Sequence, residues 1–245
     1  MNKKLLLGKP VTKSERFHQQ TKLKFTKKPY RQEEWKKTHF KGYPRLEEIV
    51  LPKPQPLQNI SLGEVFVKRR SMRTYGEKKL SSSALSTILY YSAGLQHNKM
   101  PQRANRFYPS AGARYPLETY IVSLNTTLPK GIYHYYLKSH SVEKLLSIDN
   151  FSVRDYFTSV WLAQASCIII LTAVFRRTTM EYGDRGYRSV LLEAGHLGQN
   201  FYLITTALQL SCCAVAGFFD DKLNALLDID GIKETAIYTI AIGNR

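Results

Sequence analysis

Ten consecutive residues, Ser166 to Phe175, read Ser-Cys-Ile-Ile-Ile-Leu-Thr-Ala-Val-Phe without one charge. The run is rich in β-branched residues and has the length of a single strand, well short of the roughly 18 apolar residues that a membrane span needs. A strand apolar at every position, rather than at alternate ones, has no face for water. It has to lie inside a sheet covered on both sides, so the rest of the chain is expected to build layers around it.

The remaining pattern supplies those layers. Leu117–Leu124, Cys212–Ala216 and Thr235–Ile242 read as further strands, and Gly131–Leu137 with Ser141–Leu146 as a hairpin. Helices are expected at Ser61–Arg70, Ser81–Ala93, Tyr187–Leu210 and Asp220–Leu227. Ser61-Leu-Gly-Glu64 has the spacing of a capping box, and Gly94 is placed to stop the second helix. Tyr187–Leu210 is apolar over a broad face, which predicts a central buried helix. Asp220 or Asp221 is the expected N-cap of the last helix. Hairpins among mixed helices and strands argue for an α+β fold rather than a parallel α/β wind.

The chain has 245 residues, 43% of them apolar, which suits one large domain. That domain is expected over residues 61–245, with 1–60 as a basic N-terminal arm. The net charge of +17 is unevenly spread: residues 1–60 hold 15 Lys and Arg against 5 Asp and Glu. Leu51-Pro-Lys-Pro-Gln-Pro56 is expected to be extended, because each proline pushes its predecessor out of the helical region. An arm of this kind lies on the surface or docks a partner; a polyanion such as nucleic acid is the third reading of the charge. Met1–Pro10 turns basic too quickly for a secretory signal. Three cysteines, two of them adjacent, give neither a disulfide framework nor metal spacing, and fit a reducing cytoplasm.

Four segments carry residues suited to chemistry. In Lys68-Arg-Arg-Ser-Met-Arg73, three guanidinium groups and a hydroxyl at a helix end suit a phosphate, or else form a solvated helix end. In Arg106-Phe-Tyr-Pro-Ser-Ala-Gly-Ala-Arg-Tyr-Pro-Leu-Glu118, small residues between prolines let backbone approach a flat ligand, or form an ordinary turn. Glu181-Tyr-Gly-Asp-Arg-Gly-Tyr-Arg188 clusters titratable groups ahead of a helix on which Glu193, His196 and Asn200 share a face. Buried hydrogen bonding is favoured over metal binding for His196 and Asn200. Ala214-Val-Ala-Gly-Phe-Phe-Asp-Asp221 puts Gly217 at a strand end, open to a ligand ring or simply to a turn. A P-loop, a Rossmann glycine fingerprint and a Gly-x-Ser-x-Gly elbow are all missing from the sequence.

Taken in order, these segments resemble the nitroreductase-like flavoproteins, and more narrowly the SagB-type (McbC-like) dehydrogenases of ribosomal peptide maturation. The resemblance rests on Arg69-Arg-Ser-Met-Arg73, Tyr108-Pro-Ser-Ala-Gly-Ala-Arg-Tyr-Pro-Leu-Glu118, Gly131-Ile-Tyr-His-Tyr135, Tyr182-Gly-Asp-Arg-Gly-Tyr-Arg188, Leu192-Glu-Ala-Gly-His-Leu-Gly-Gln-Asn200 and Gly217-Phe-Phe-Asp-Asp221. It spans roughly residues 61–245.

It implies an FMN enzyme with a central, mostly antiparallel sheet wrapped by helices, working as a homodimer with flavin at the subunit interface. By the same resemblance Arg69, Arg70, Ser71 and Arg73 hold the FMN phosphate, with Arg245 returning to it. Ser110, Ala111 and Gly112 border the isoalloxazine, and Ala216 and Gly217 lie near the ring. The implied reaction oxidises a thiazoline or oxazoline of a modified precursor peptide to the azole: a base takes the α-proton while hydride passes to the flavin. Tyr182 matches the tyrosine of the family's Lys-Tyr pair, but Glu181 stands where the lysine is expected. A carboxylate there is suited to be the base. The change also leaves room for a flavin reductase that uses NAD(P)H on nitro, quinone or dehydroamino-acid substrates. The basic arm is expected to dock a cyclodehydratase or scaffold partner. Nucleic acid as the main partner would leave the flavin-like motifs unexplained.

Overall fold

The computed structural model describes residues 12–23, 40–57, 60–96 and 105–245. The apolar run forms β5 (Cys167–Val174), antiparallel to β2 (Leu117–Ser123) on one side and to β7 (Glu234–Gly243) on the other. Every residue from Cys167 to Ala173 is buried. Cys167, Ile169, Leu171 and Ala173 point into one core and Ile168 and Ile170 into a second, so both faces are covered. Truncating Ile169 or Ile170 to alanine would cost about 2–5 kcal/mol.

Outward from β2 come β3 (Gly131–Tyr136), β4 (Ser141–Ser147) and β1 (Glu48–Val50). Beyond β7 lies β6 (Ser211–Val215), giving a seven-stranded sheet in which all strand pairs are antiparallel. The first core lies under α3 (Ser82–Ala93) and α5 (Gly186–Ala207); the second lies under α6 (Asp220–Leu226) and two 3-10 turns at Val153–Asp155 and Val160–Gln164. This is the expected α+β arrangement.

Three boundaries differ from expectation. α2 (Leu62–Lys68) starts on the Ser61–Glu64 capping box but ends before Arg69, which is extended (φ -57, ψ 123). The N-cap of α6 is Phe219 without a side-chain cap; Asp220 and Asp221 instead occupy the first turn, where acidic groups favour the helix dipole. α4 (Arg176–Tyr182) was not legible, because it follows β5 directly and its Arg-Arg-Thr-Thr start carries no apolar period.

Much of the expected arm, residues 1–11, 24–39 and 58–59, lies outside the described residues. Its described parts pack on the domain. α1 (Lys13–Gln20) is capped by Thr12 and docks on the start of α5: Phe17 meets Tyr187 edge-on, Arg188 Nε donates to Thr21 Oγ1 (2.8 Å) and Arg185 to the Thr21 carbonyl (3.2 Å). Lys41 Nζ donates to Glu234 of β7 and to the Tyr120 hydroxyl of β2, both at 2.6 Å. β1 then adds an edge strand and Leu51 enters the core. The domain boundary expected at residue 61 therefore does not separate arm from sheet. A three-residue strand leaves no alternation to read. Among the described residues no helix is long and apolar enough to cross a membrane.

Candidate functional site

The loop between Arg106 and β2 bends sharply. Gly112, Ala113 and Tyr115 all have positive φ (61, 52 and 47), a conformation that costs a side-chain-bearing residue about 1–3 kcal/mol. It persists because the loop is fastened from within. Ser110 Oγ accepts the Tyr115 amide hydrogen (2.8 Å), and Arg106 Nη1 donates to the Tyr108 hydroxyl and the Leu117 carbonyl, each at 2.9 Å. The strain presents Gly112 outward, bare of side chain. Directly against it stands Tyr182: a β-carbon at Gly112 would fall 2.6 Å from the Tyr182 hydroxyl. The structure thus brings the predicted tyrosine to the predicted ligand-facing loop.

Arg177 holds that meeting in place. It lies on α4, the helix that carries Tyr182, and donates to the Tyr115 carbonyl of the loop (3.2 Å) while pairing with Glu118 of β2 (2.5 Å). Arg114 Nε donates to the Arg177 carbonyl (3.3 Å). Burial lowers the Arg114 pKa, whereas the nearby Glu181 and Tyr182 oppose that shift. Behind Glu118 sits His134 of β3, buried between Glu118 (3.3 Å) and Glu143 of β4 (2.7 Å). Burial alone would raise the Glu118 pKa. The His134 hydrogen bond and the Arg177 and His134 charges outweigh it and bring it down to about 2. The two glutamates hold the His134 pKa above its ordinary value against burial.

A second group gathers where α2 ends. The Arg69 guanidinium lies over the Tyr202 ring (5.5 Å), and Ser71 Oγ is 2.9 Å from the Tyr202 hydroxyl, which also accepts the Ala214 amide hydrogen (2.8 Å). The Met72 amide donates to the Cys212 carbonyl, tying the segment to β6. Arg70, Ser71 and Arg73 are exposed, Arg70 folding back on the Val67 and Arg69 carbonyls and Arg73 lying 5.9 Å from the Trp161 ring. Arg245 is exposed, and its carbonyl packs on Gly76. Ala216 is exposed as well, while the Gly217 carbonyl accepts from the Thr158 hydroxyl and amide, both at 3.0 Å.

The loop group and the Arg69 group both lean on α5, at Glu193 and Tyr202. Nine residues at 100° each place these on opposite sides of the helix, about 13 Å apart along it.

Arg177, Arg114 and Tyr202 were missed by sequence reasoning. Arg177 follows a strand with no motif around it, and Tyr202 reads simply as part of the apolar face. Asn200 hydrogen-bonds as expected, donating to the Ser92 and Phe107 carbonyls (3.3 and 3.2 Å). His196 is exposed rather than buried, because the broad apolar face of α5 passes it by.

Comparison with known proteins gives the family. The model of the nitroreductase family matches residues 66–244. The chain is 34% identical over 201 residues to MJ1384 of Methanocaldococcus jannaschii, which carries a nitroreductase name, covering 81% of this chain and 96% of that one. It is 24% identical over 203 residues to the microcin B17-processing protein McbC of Escherichia coli, covering 78% and 74%. A crystal structure from Anabaena variabilis described as a nitroreductase superposes with a TM-score of 0.73 at 26% identity, over 94% of this chain; the chain spans only 46% of that protein's length. A protein of the same fold from Desulfovibrio desulfuricans, solved with FMN, gives a TM-score of 0.52 at 16% identity, covering 76% and 87%.

Proposed function

The chain belongs to the nitroreductase family of oxidoreductases, and from that premise we propose that it is an FMN-dependent, SagB-type dehydrogenase that oxidises thiazoline or oxazoline rings of a modified precursor peptide to azoles. The observation that carries this reading is the Tyr182 hydroxyl standing over Gly112, with Glu181 next to it in sequence and Arg114 beside both. Similarity to a microcin-processing protein supports the peptide substrate.

The residues present fit FMN. Gly112 is exposed and left-handed, so its bare backbone is open to a flat ligand beside the Tyr182 hydroxyl. Arg69 and Ser71, fixed by Tyr202, offer a guanidinium and a hydroxyl suited to a phosphate, with Arg70, Arg73 and Arg245 exposed to add charge. Ser110, Ala111, Ala216 and Gly217 are assigned to the ring. FMN, when bound, supplies the two-electron acceptor. Glu181 takes the acidic α-proton of the azoline on a carboxylate oxygen. Tyr182 donates its hydroxyl hydrogen toward the substrate, and the Arg114 guanidinium lies near the Glu181 carboxylate.

The two groups face opposite sides of α5, so a flavin that touches both draws them from different copies of the chain. Exposed Leu62, Phe66 and Val67 of α2 and Leu191 and Leu192 of α5 supply apolar surface for such a homodimer. The basic charge of the N-terminal residues suits an acidic surface of a cyclodehydratase or scaffold partner. The glutamate at 181 and the 34% identity to a nitroreductase-named relative favour a second reading, reduction of nitro, quinone or dehydroamino-acid groups with NAD(P)H. The protein should purify yellow or take up FMN, and should convert an azoline peptide with loss of two hydrogens. Folded protein that refuses FMN sinks both readings; NAD(P)H consumption with nitro or quinone acceptors and none of the peptide chemistry leaves the second.

A further inference from the structure

Glu193 lies on the half of α5 that packs against the Ala111–Ala113 turn. It is 2% exposed, and neither carboxyl oxygen makes an aligned hydrogen bond within the protein. Arg106, equally buried, acts on it electrostatically and has its own Nε and Nη2 without partners. Leaving four such polar atoms unpaired in a core costs more than an apolar pair of the same size would. On its other side the carboxyl neighbours the Ser110 hydroxyl and the Ala111 amide.

Ser110 has one hydrogen to place. Its Oγ already accepts from the Tyr115 amide, so the remaining choice is where the O–H points. An ionised Glu193 draws it inward. A neutral Glu193 is itself a donor to Oγ and releases the Ser110 hydrogen to the outer side of the loop. We propose that Glu193 is a positioning residue that sets, through Ser110, whether the loop offers a hydrogen-bond donor or an acceptor to the flavin. The inference rests on the reading of Ser110–Gly112 as the flavin-bordering loop.

Both states are within reach at neutral pH. Burial pushes the Glu193 pKa up to about 7, with the Ser110 hydroxyl, the Arg106 charge and the Ala111 amide opposing the rise. The other titratable group facing it is Tyr108, held neutral by burial, with Glu118 beyond Arg106. The neighbouring elements add little. α3 has no charged side chain, β6 has only Cys212 and Cys213, and Glu64 and Lys68 of α2 pair with each other. Arg177 of α4 is engaged by Glu118, Glu181 faces Arg114, and Glu234 of β7 is engaged by Lys41.

Two measurements on full-length protein test it. The first needs no cofactor: the infrared carbonyl band of the protonated carboxyl, identified by its loss in Glu193→Gln, should titrate near neutral pH and shift in Ser110→Ala. A band that ignores Ser110→Ala overturns the inference. The second uses FMN as probe: its visible spectrum and midpoint potential should change through the same pH range in the wild type. That step should vanish in Glu193→Gln and in Ser110→Ala, with the FMN affinity of Glu193→Gln within about tenfold of the wild type. A step that survives in either variant overturns the inference. Failure of the folded wild type to bind FMN removes the flavin assignment and the positioning role with it, whatever the infrared band does.

Discussion

The Tyr182 hydroxyl and the α-carbon of Gly112 are packed so closely that no β-carbon fits between them: the gap would be 2.6 Å, at a residue whose φ is +61. Gly112→Ala therefore meets two separable obstacles. The left-handed backbone costs about 1 kcal/mol, and the clash pushes Tyr182 off the loop. Gly112→Ala should lower the melting temperature and weaken FMN uptake. Adding Tyr182→Phe should recover part of the loss, since the ring carbon then nearest lies at an ordinary 3.5 Å. A double-mutant cycle by urea unfolding should give a coupling of about 0.5–3 kcal/mol; strict additivity would mean the two do not touch.

Tyr182→Phe and Glu181→Gln are expected to spare the flavin spectrum and strike turnover. Each should lower kcat on an azoline peptide by about 10²–10⁴-fold, the range for loss of a general acid or base. Stopped-flow flavin bleaching under anaerobic conditions reads the step directly. Unchanged bleaching in both variants would remove the pair from the chemistry.

Tyr202 anchors Ser71 and the Ala214 amide and lies under Arg69. Tyr202→Phe should cost about 1–2 kcal/mol of stability, from two lost hydrogen bonds in a partly buried place. Arg69→Ala should weaken FMN binding about tenfold or more while leaving riboflavin, which lacks the phosphate, almost unaffected. Equal losses for both ligands, measured by fluorescence quenching, would place the phosphate elsewhere.

Acid should act through Glu118. Its folded pKa, near 2, lies below the unfolded 4.5, so the unfolded chain binds the proton first and stability falls as pH drops from about 4.5 to about 2. The shift corresponds to about 3 kcal/mol. Glu118→Gln should flatten this window and, by leaving the buried Arg177 charge without its carboxylate, cost about 3–5 kcal/mol at neutral pH. Urea midpoints across pH 2–5 decide it.

Glu193 has the opposite sign. Its folded pKa of about 7 lies above the unfolded 4.5, so the native state holds the proton longer and stability falls as pH rises through that interval. Glu193→Gln should be less sensitive between these limits and more stable than wild type above pH 7, by up to about 3 kcal/mol. Parallel stability curves for the two proteins would contradict this.

The sequence announced the fold where burial was written residue by residue. The uninterrupted run at 167–174 and the capping box at Ser61 constrain structure locally and stand as read; α5 forms where its period put it, but Leu191 and Leu192 of its expected buried face are exposed. Of the site, the small residues and prolines around Ser110–Gly112 marked the loop and the resemblance marked Tyr182, but neither marked that the two meet. What stayed hidden depends on distance in the chain. Arg177 reaches Glu118, fifty-nine positions earlier, and nothing near either residue marks the other. The same holds for Ser71 and Tyr202. Lys41 was counted with a loose basic arm, because a lysine's sequence neighbours do not reveal that Glu234 and Tyr120 await it across the sheet.

Among the described residues β6 has one strand partner, β7, and β7 also closes the open side of β5. In a chain growing from its N-terminus, β6 and the Arg69 segment that hangs on it are made before that partner exists. Until β7 arrives, two apolar strand edges face outward, each a template for pairing with a neighbouring nascent chain. Release before β7 is complete should therefore yield aggregate rather than a weakened enzyme, which makes the last strand a checkpoint on biosynthesis.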